Sequence, residues 1–298
     1  MRIPASFGWL LLGAIVPALA CSASVGGGGG TGGSTGSGGS KGSGGSAGSG
    51  GTKGSGGAAG MGIMGGDSGG GGDDNPYGVP YPTTNIGHRA RSTTPGQQMQ
   101  NFKFLGWPNA SQGSPTSYSG PFVPVALSDF YDPLGQKYKL IHLSVAGVWC
   151  GPCNLETVTL TAAAGALAKE GVVIVQALTE GPTPGVAALL GDMKGWMPAH
   201  MAATVDGFSV GARGPIDYNM VIDPEGNDLG VFFTEAAIPW AADLDARTME
   251  ILDQGVGYDP NTQSTIEGYL KWVETHPPSY ACPTGEKLSG NSCVAASK

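Results

Sequence analysis

The fold is decided by Trp149-Cys150-Gly151-Pro152-Cys153, preceded by Leu140-Ile141-His142-Leu143-Ser144-Val145-Ala146 and followed by Asn154-Leu155-Glu156-Thr157-Val158. The run before the motif is nearly continuously apolar at its end, as a strand buried on both faces should be. The run after it reads as a helix, so the two cysteines sit at a strand-to-helix junction. A helix N-terminus directs backbone N–H groups and a partial positive charge at the first sulfur, which favours thiolate. Pro152 suits the first turn, where its missing N–H is no loss. Cys153 then lies one turn on, within reach of a disulfide with Cys150, and Cys150 is expected to be the exposed sulfur. In this context the spacing points to thiol–disulfide exchange. Zinc is the competing use of C-x-x-C, but it usually wants two more Cys or His at matching spacing. The sequence has no second C-x-x-C, and His88, His142, His200 and His276 are scattered. No metal and no cofactor is expected.

From Ile141 to Glu156, ending W-C-G-P-C-N-L-E, the chain resembles thioredoxin-fold proteins, and Glu156 is similar to the glutamate of TlpA-like disulfide reductases in particular. Val123 to Phe130 resembles the segment before the first core strand in that family. The resemblance covers Val123 to His276. It implies an α/β thioredoxin-like fold, a central mixed sheet flanked by helices, here with a loop-rich N-terminal extension and insertions. In thioredoxins and their TlpA-like relatives the position six before the first cysteine holds a buried acid or Asn. Here it is Ser144, a poor base, so another group must take the proton of Cys153. Glu156 is the nearest candidate; its other reading is a solvated carboxylate in the first helical turn.

Val221-Ile222-Asp223-Pro224-Glu225-Gly226 resembles the family's I-D-x-x-G turn. In that family a cis proline lies six residues before the Asp and faces the C-x-x-C. That position is Asp217 here, and Pro215, two residues further back, is expected to take the role. Pro239 competes, six residues before Asp245. However, Thr248 then stands where the turn glycine belongs, and Ile238 to Leu252 reads as a helix with Pro239 in its first turn.

The N-terminus has its own logic. Met1 and Arg2 precede an apolar run, Trp9 to Val16, too short for a stop-transfer span. Ala18-Leu19-Ala20-Cys21 closes it and resembles the bacterial lipobox, which implies cleavage before Cys21 and lipidation of its sulfur. Ser22, rather than Asp, after the cysteine favours the outer membrane of a Gram-negative cell. Val25 to Asp74 is mostly Gly and Ser, which implies a flexible coil averaging on the order of 40 Å end to end. The expected organisation is therefore a signal peptide at 1–20, a lipidated linker at 21–74, a thioredoxin-like domain at 75–277 and a short tail at 278–298. In the tail, Cys282 and Cys293 pair off as a structural disulfide, leaving no thiol unpaired. Net charge is −8 with no basic stripe, which argues against nucleic acid.

The remaining elements follow from periodicity. Leu155, Val158, Ala162 and Ala166 define one helical face, and Gly171 ends that helix. Val172 to Leu178 is a second buried strand. Thr183-Pro184 can open a second helix. Tyr218 to Asp223 is a strand, with Leu229 to Phe233 as its hairpin partner. Gln263 to His276 is the last helix. Met197 to Gly214 carries no decisive pattern.

The function implied is a cell-envelope disulfide reductase. Gly151-Pro152 is the dipeptide of reducing thioredoxins and offers no cation to stabilise a strongly oxidising thiolate. Its expected partners are disulfide-bearing envelope proteins, a membrane thiol donor of DsbD type, and the membrane itself through the lipid anchor. The alternative is a lipoprotein that uses the same fold as a binding scaffold, with Cys150–Cys153 only structural. Peroxide reduction ranks below both, because Gly147 stands where a peroxidatic T-x-x-C would place its Thr.

Overall fold

In the computed structural model the residues described are 80–114, 121–233, 237–278, 286–289 and 292–295, the last two stretches through their backbone alone. The proposed leader, Cys21 and the linker lie outside them, as does Cys282, so the Cys282–Cys293 pairing is outside what is described. Among the described residues no helix is long and apolar enough to cross a membrane.

The strand before the motif, Leu140–Gly147, is buried at every position. Its residues alternate between two cores, with Leu140 and Ala146 on one side and Ile141, Leu143 and Val145 on the other. In chain order the strands are β1 (Lys103–Trp107), β2 (Val123–Ala126), β3 (Leu140–Gly147), β4 (Val172–Glu180), β5 (Ala203–Val205), β6 (Phe208–Val210), β7 (Asn219–Ile222), β8 (Trp240–Asp245), β9 (Glu250–Val256), β10 (Glu286–Ser289) and β11 (Ser292–Ala295). The helices are α1 (Gly151–Glu170), α2 (Leu190–Trp196) and α3 (Thr262–Thr275). Seven strands form one mixed sheet in the order β2-β1-β7-β4-β3-β8-β9; β5-β6 and β10-β11 are separate hairpins. β3, β4 and β7 run parallel, and β8 and β9 continue the sheet antiparallel. Parallel neighbours need a long crossover, which α1 provides between β3 and β4.

All three helices bury their apolar residues on one face of the sheet: Leu160, Ala164 and Leu167 from α1, Met193 and Trp196 from α2, Ile266, Leu270 and Val273 from α3. The other face is covered by Tyr81, Met99, Phe102, Leu127, Phe130 and Tyr131 from the N-terminal segments. The loop-rich extension is thus one layer of the core, although it holds few regular elements.

Four expectations are corrected. The buried face of α1 runs Cys153, Thr157, Leu160, Ala164 and Leu167, while Ala162 and Ala166 are exposed. A buried polar residue, Thr157, sits on that face because it meets Gln176 of β4, so apolar periodicity pointed the wrong way. No helix begins at Thr183: the loop folds back on β4, with Gly181 N donating to Val186 O and Ala188 N to Thr179 O, and α2 starts at Leu190. Leu229 to Phe233 forms no strand. Both edges of β7 are already taken by β1 and β4, and the Asp223 carboxylate accepts the Asp228 and Leu229 N–H groups, turning the chain away. Ile238 to Leu252 is the β8–β9 hairpin. Trp240, Ala242 and Leu244 enter the core at period two, the signature of a strand.

Candidate redox site

Cys150 is the N-cap of α1, and its sulfur accepts the Cys153 N–H at 3.1 Å. Cys150 and Cys153 form a disulfide. Asn154 ties down the turn, its amide donating to the carbonyls of Cys150 (2.8 Å) and Val148 (3.3 Å). Trp149 donates its indole N–H to Glu180, whose carboxylate also accepts the Gly185 N–H at 3.0 Å. The motif is thereby fixed to the end of β4.

The antiparallel register of β3 and β8 pairs Val145 with Trp240. The residues just before β8 therefore lie beside the motif that follows β3. The cis peptide among the described residues is Ile238–Pro239, and the Ile238 carbonyl oxygen is 3.6 Å from Cys150 Sγ. Pro239, not Pro215, faces the disulfide. Pro215 lies instead just beyond the backbone pairing of His200 with Arg213. In the turn after β8 the left-handed position is Met249, φ 57°, one residue beyond Thr248.

Cys150 is only 1% exposed, against the expectation of an accessible sulfur. The β5–β6 hairpin packs on the residue beside it, Gly151. A Cβ on Gly151 would lie 2.4 Å from the Val205 carbonyl oxygen and 2.9 Å from the Phe208 ring. The segment is anchored by Arg213, whose guanidinium donates to the carbonyls of Trp196 and Pro198. Gly151→Ala should push the hairpin aside. In the reduced protein Cys150 should then alkylate several-fold faster, at a stability cost of about 1–3 kcal/mol for overpacking. Iodoacetamide kinetics and thermal melts read both; an unchanged alkylation rate would mean that the hairpin does not gate the sulfur.

Beneath α1 the sheet is polar. Gln176 Oε1 accepts from Thr157, Trp196 and Tyr218, each at 3.2 Å, and its amide reaches Ser144 Oγ at 3.4 Å. Ser144 is thus part of a neutral network with no acid in it. The acid comes from α1. Glu156 is 2% exposed and lies in the second turn, so the solvated first-turn reading is wrong. Burial pushes its carboxyl up to about 8; Asp243 and Asp259 add to this and His142 opposes it. His142 of β3 holds Asp243 of β8 at 2.9 Å from Nδ1. Burial by itself would lower the His142 pKa. The charge and hydrogen bond of Asp243, with the charge of Glu156, outweigh burial and raise it.

His142 and Asp243 escaped the sequence reading as site residues. The available signal was an ionisable side chain at each of two adjacent strands, on positions whose neighbours alternate into the opposite core. Only the β3–β8 register, which pairs the two directly, turns that into a cluster. Among the described residues no group of three His, Cys, Asp or Glu side chains could hold a metal ion.

A C-x-x-C disulfide capping the first helix after a central strand, with a cis proline opposite it just before the adjacent antiparallel strand, defines a thioredoxin-fold protein with a redox-type centre. No protein-family model and no curated protein sequence matches the chain. Among solved structures it is similar to a Chlorobium tepidum protein that carries the name thiol:disulfide interchange protein DsbE, at 18% identity and a TM-score of 0.41, over 60% of this chain and 97% of that one. It is also similar to Enterococcus faecalis AhpC, at 14% identity and 0.41, over 63% and 98%. A third is the pneumococcal exposed lipoprotein thioredoxin Etrx1 of Streptococcus pneumoniae, at 18% identity and 0.37, over 58% and 99%.

Proposed function

We propose that this chain is a lipid-anchored thiol–disulfide oxidoreductase of the Gram-negative cell envelope that reduces disulfides in other envelope proteins. One observation carries the reading: the Cys150–Cys153 disulfide caps α1 and lies against the Ile238 carbonyl. In the reduced protein the helix N-terminus stabilises the Cys150 thiolate, which attacks a substrate disulfide. The Cys150–substrate bond forms as the substrate S–S bond breaks, and the leaving thiolate takes up a proton. Cys153 then loses its proton, attacks Cys150 Sγ and releases the second substrate thiol. Two electrons pass to the substrate, and the protein is left as the disulfide. Glu156, one helical turn beyond Cys153 and buried, takes that proton. A membrane thiol donor of DsbD type restores the dithiol. The domain at 75–277 performs this chemistry, and the Gly/Ser-rich segment at 21–74 tethers it.

Equilibration in glutathione buffers followed by thiol trapping tests the direction. The potential should lie nearer thioredoxin's, roughly −270 mV, than that of the strong oxidant DsbA, roughly −120 mV. A value above roughly −150 mV would make the protein an oxidase. Anchoring is tested separately: Cys21→Ser should move the protein from the membrane to the soluble envelope fraction, and a variant that stays membrane-bound refutes lipidation.

The near-complete burial of Cys150 supports a second reading, a binding scaffold with a structural disulfide. Thiol titration after mild reductant separates the two. A pair that opens readily is the redox centre; a resistant pair is structural.

A further inference from the structure

Three buried ionisable side chains lie around the site, His142, Glu156 and Asp243, and two of them, His142 and Asp243, have no part in the exchange itself. All three line one cavity of about 360 Å³, between α1, β8, β9 and the loop before α3. Its floor is His142, Glu156 and Asp243; its mouth includes Gly255, Val256 and Gly257, all exposed. Two buried polar atoms there have no hydrogen-bond partner, Glu156 Oε2 and His142 Nε2. Leaving such atoms unsatisfied is costly, and a cavity of this size with three ionisable side chains on its floor has room for several water molecules. A carboxylate at Asp243 can only accept, so the hydrogen bond to His142 Nδ1 places the imidazole proton there. That leaves the Nε2 lone pair free to take a proton from the cavity.

Resting on the oxidoreductase reading above, we propose that His142, oriented by Asp243, is a proton-relay residue that carries the Glu156 proton through cavity water to solvent and so frees Glu156 to take the proton of Cys153. The balance is simple. Buried Glu156 starts as the carboxylic acid and passes its proton through cavity water to Nε2, with Asp243 balancing the imidazolium charge. Its freed carboxylate then takes the proton of Cys153 S–H, which becomes the attacking thiolate. The imidazolium releases the Nε2 proton to water at the Gly255–Gly257 mouth. The path runs in reverse when the disulfide is reduced. Burial of Glu156 favours its protonated form, so without a second station it keeps its own proton and cannot take that of Cys153, which slows the resolving step itself. The other titratable groups facing the pair are Asp253 on β9, Tyr258 and Asp259 on the loop before α3, Tyr269 on α3 and Tyr218 just before β7. Tyr269 is pushed up to about 12 by burial and by Asp253, so it does not exchange protons near neutrality.

The test mixes reduced protein with 4,4′-dithiodipyridine in a stopped-flow instrument between pH 5 and 9. Cys150 releases one pyridinethione, and resolution by Cys153 releases a second. In His142→Ala the second phase should slow at least about tenfold near pH 7, with its pH profile displaced, and the loss should fall on that phase. Added imidazole should restore it, whereas Glu156→Gln should gain nothing from imidazole. His142→Asn, which can hold Asp243 but cannot carry the proton, should behave as His142→Ala does before rescue. It keeps the test decisive if the alanine variant fails to fold. An unchanged second phase, or a slowed one that imidazole does not restore, overturns the relay while leaving the oxidoreductase reading intact. A wild-type protein that releases no second pyridinethione overturns both.

Discussion

Cys150→Ser will leave no disulfide reductase activity, while Cys153→Ser will react once and stay joined to its substrate. The asymmetry follows from position. Cys150 is the N-cap, with the Cys153 N–H aimed at its sulfur, so it alone receives the stabilisation of the helix N-terminus as a thiolate. Cys153 is inside the first turn and 0% exposed, where its one accessible target is Cys150. Remove the first and nothing attacks the substrate. Remove the second and the mixed disulfide has no intramolecular resolver. Insulin reduction followed by turbidity measures the first outcome, and non-reducing gels with a disulfide-bearing substrate display the second. Equal residual turnover in the two variants would assign the exchange to another pair of thiols.

The stability of the oxidised protein should fall as pH rises from about 4.5 to about 8, and Glu156→Gln should remove much of that fall. The Glu156 pKa is raised from the ordinary 4.5 to about 8 by burial, so in this window the folded state holds a proton that the unfolded state has lost. Stability rises with pH only where the unfolded state binds more protons; here the folded state does, so the slope is negative. The range spanned corresponds to a loss on the order of 4 kcal/mol at its upper end. His142 acts in the same direction. Its pKa is raised by Asp243 and Glu156 against the effect of burial, so its contribution is present below its ordinary 6.5 and is lost as pH climbs through the raised value. Urea unfolding at several pH values, wild type against Glu156→Gln, isolates the glutamate. A wild-type stability that climbs from pH 5 to 8 in step with the variant would mean that Glu156 is ionised in the fold.

Some of this was legible in a single stretch. Apolar residues ending at Trp149, a C-x-x-C with proline inside it and a helical run after it determine a strand, a capped helix and a redox pair. Each of those signals is local: the run of apolar residues, the φ of proline and helix capping are read within one or two turns of chain. Gly171 as the stop of α1 belongs with them, at φ 91°. Glu156 was visible as a residue but not as a buried acid, because burial is a property of what packs over it.

What required tertiary structure involves pairs of distant segments. Pro239 rather than Pro215 faces Cys150 because β8 runs antiparallel to β3, and no spacing along the chain encodes that register. The misread face of α1 has the same origin, since Thr157 is buried against Gln176 of β4. The β5–β6 packing on Gly151, the join of His142 to Asp243 and the cavity shared with Glu156 bring together residues far apart in sequence. Amino-acid identity determined which groups could carry protons and electrons here. Strand order and register decided which of them meet, because contact between segments depends on the packing of the whole sheet and not on local propensity.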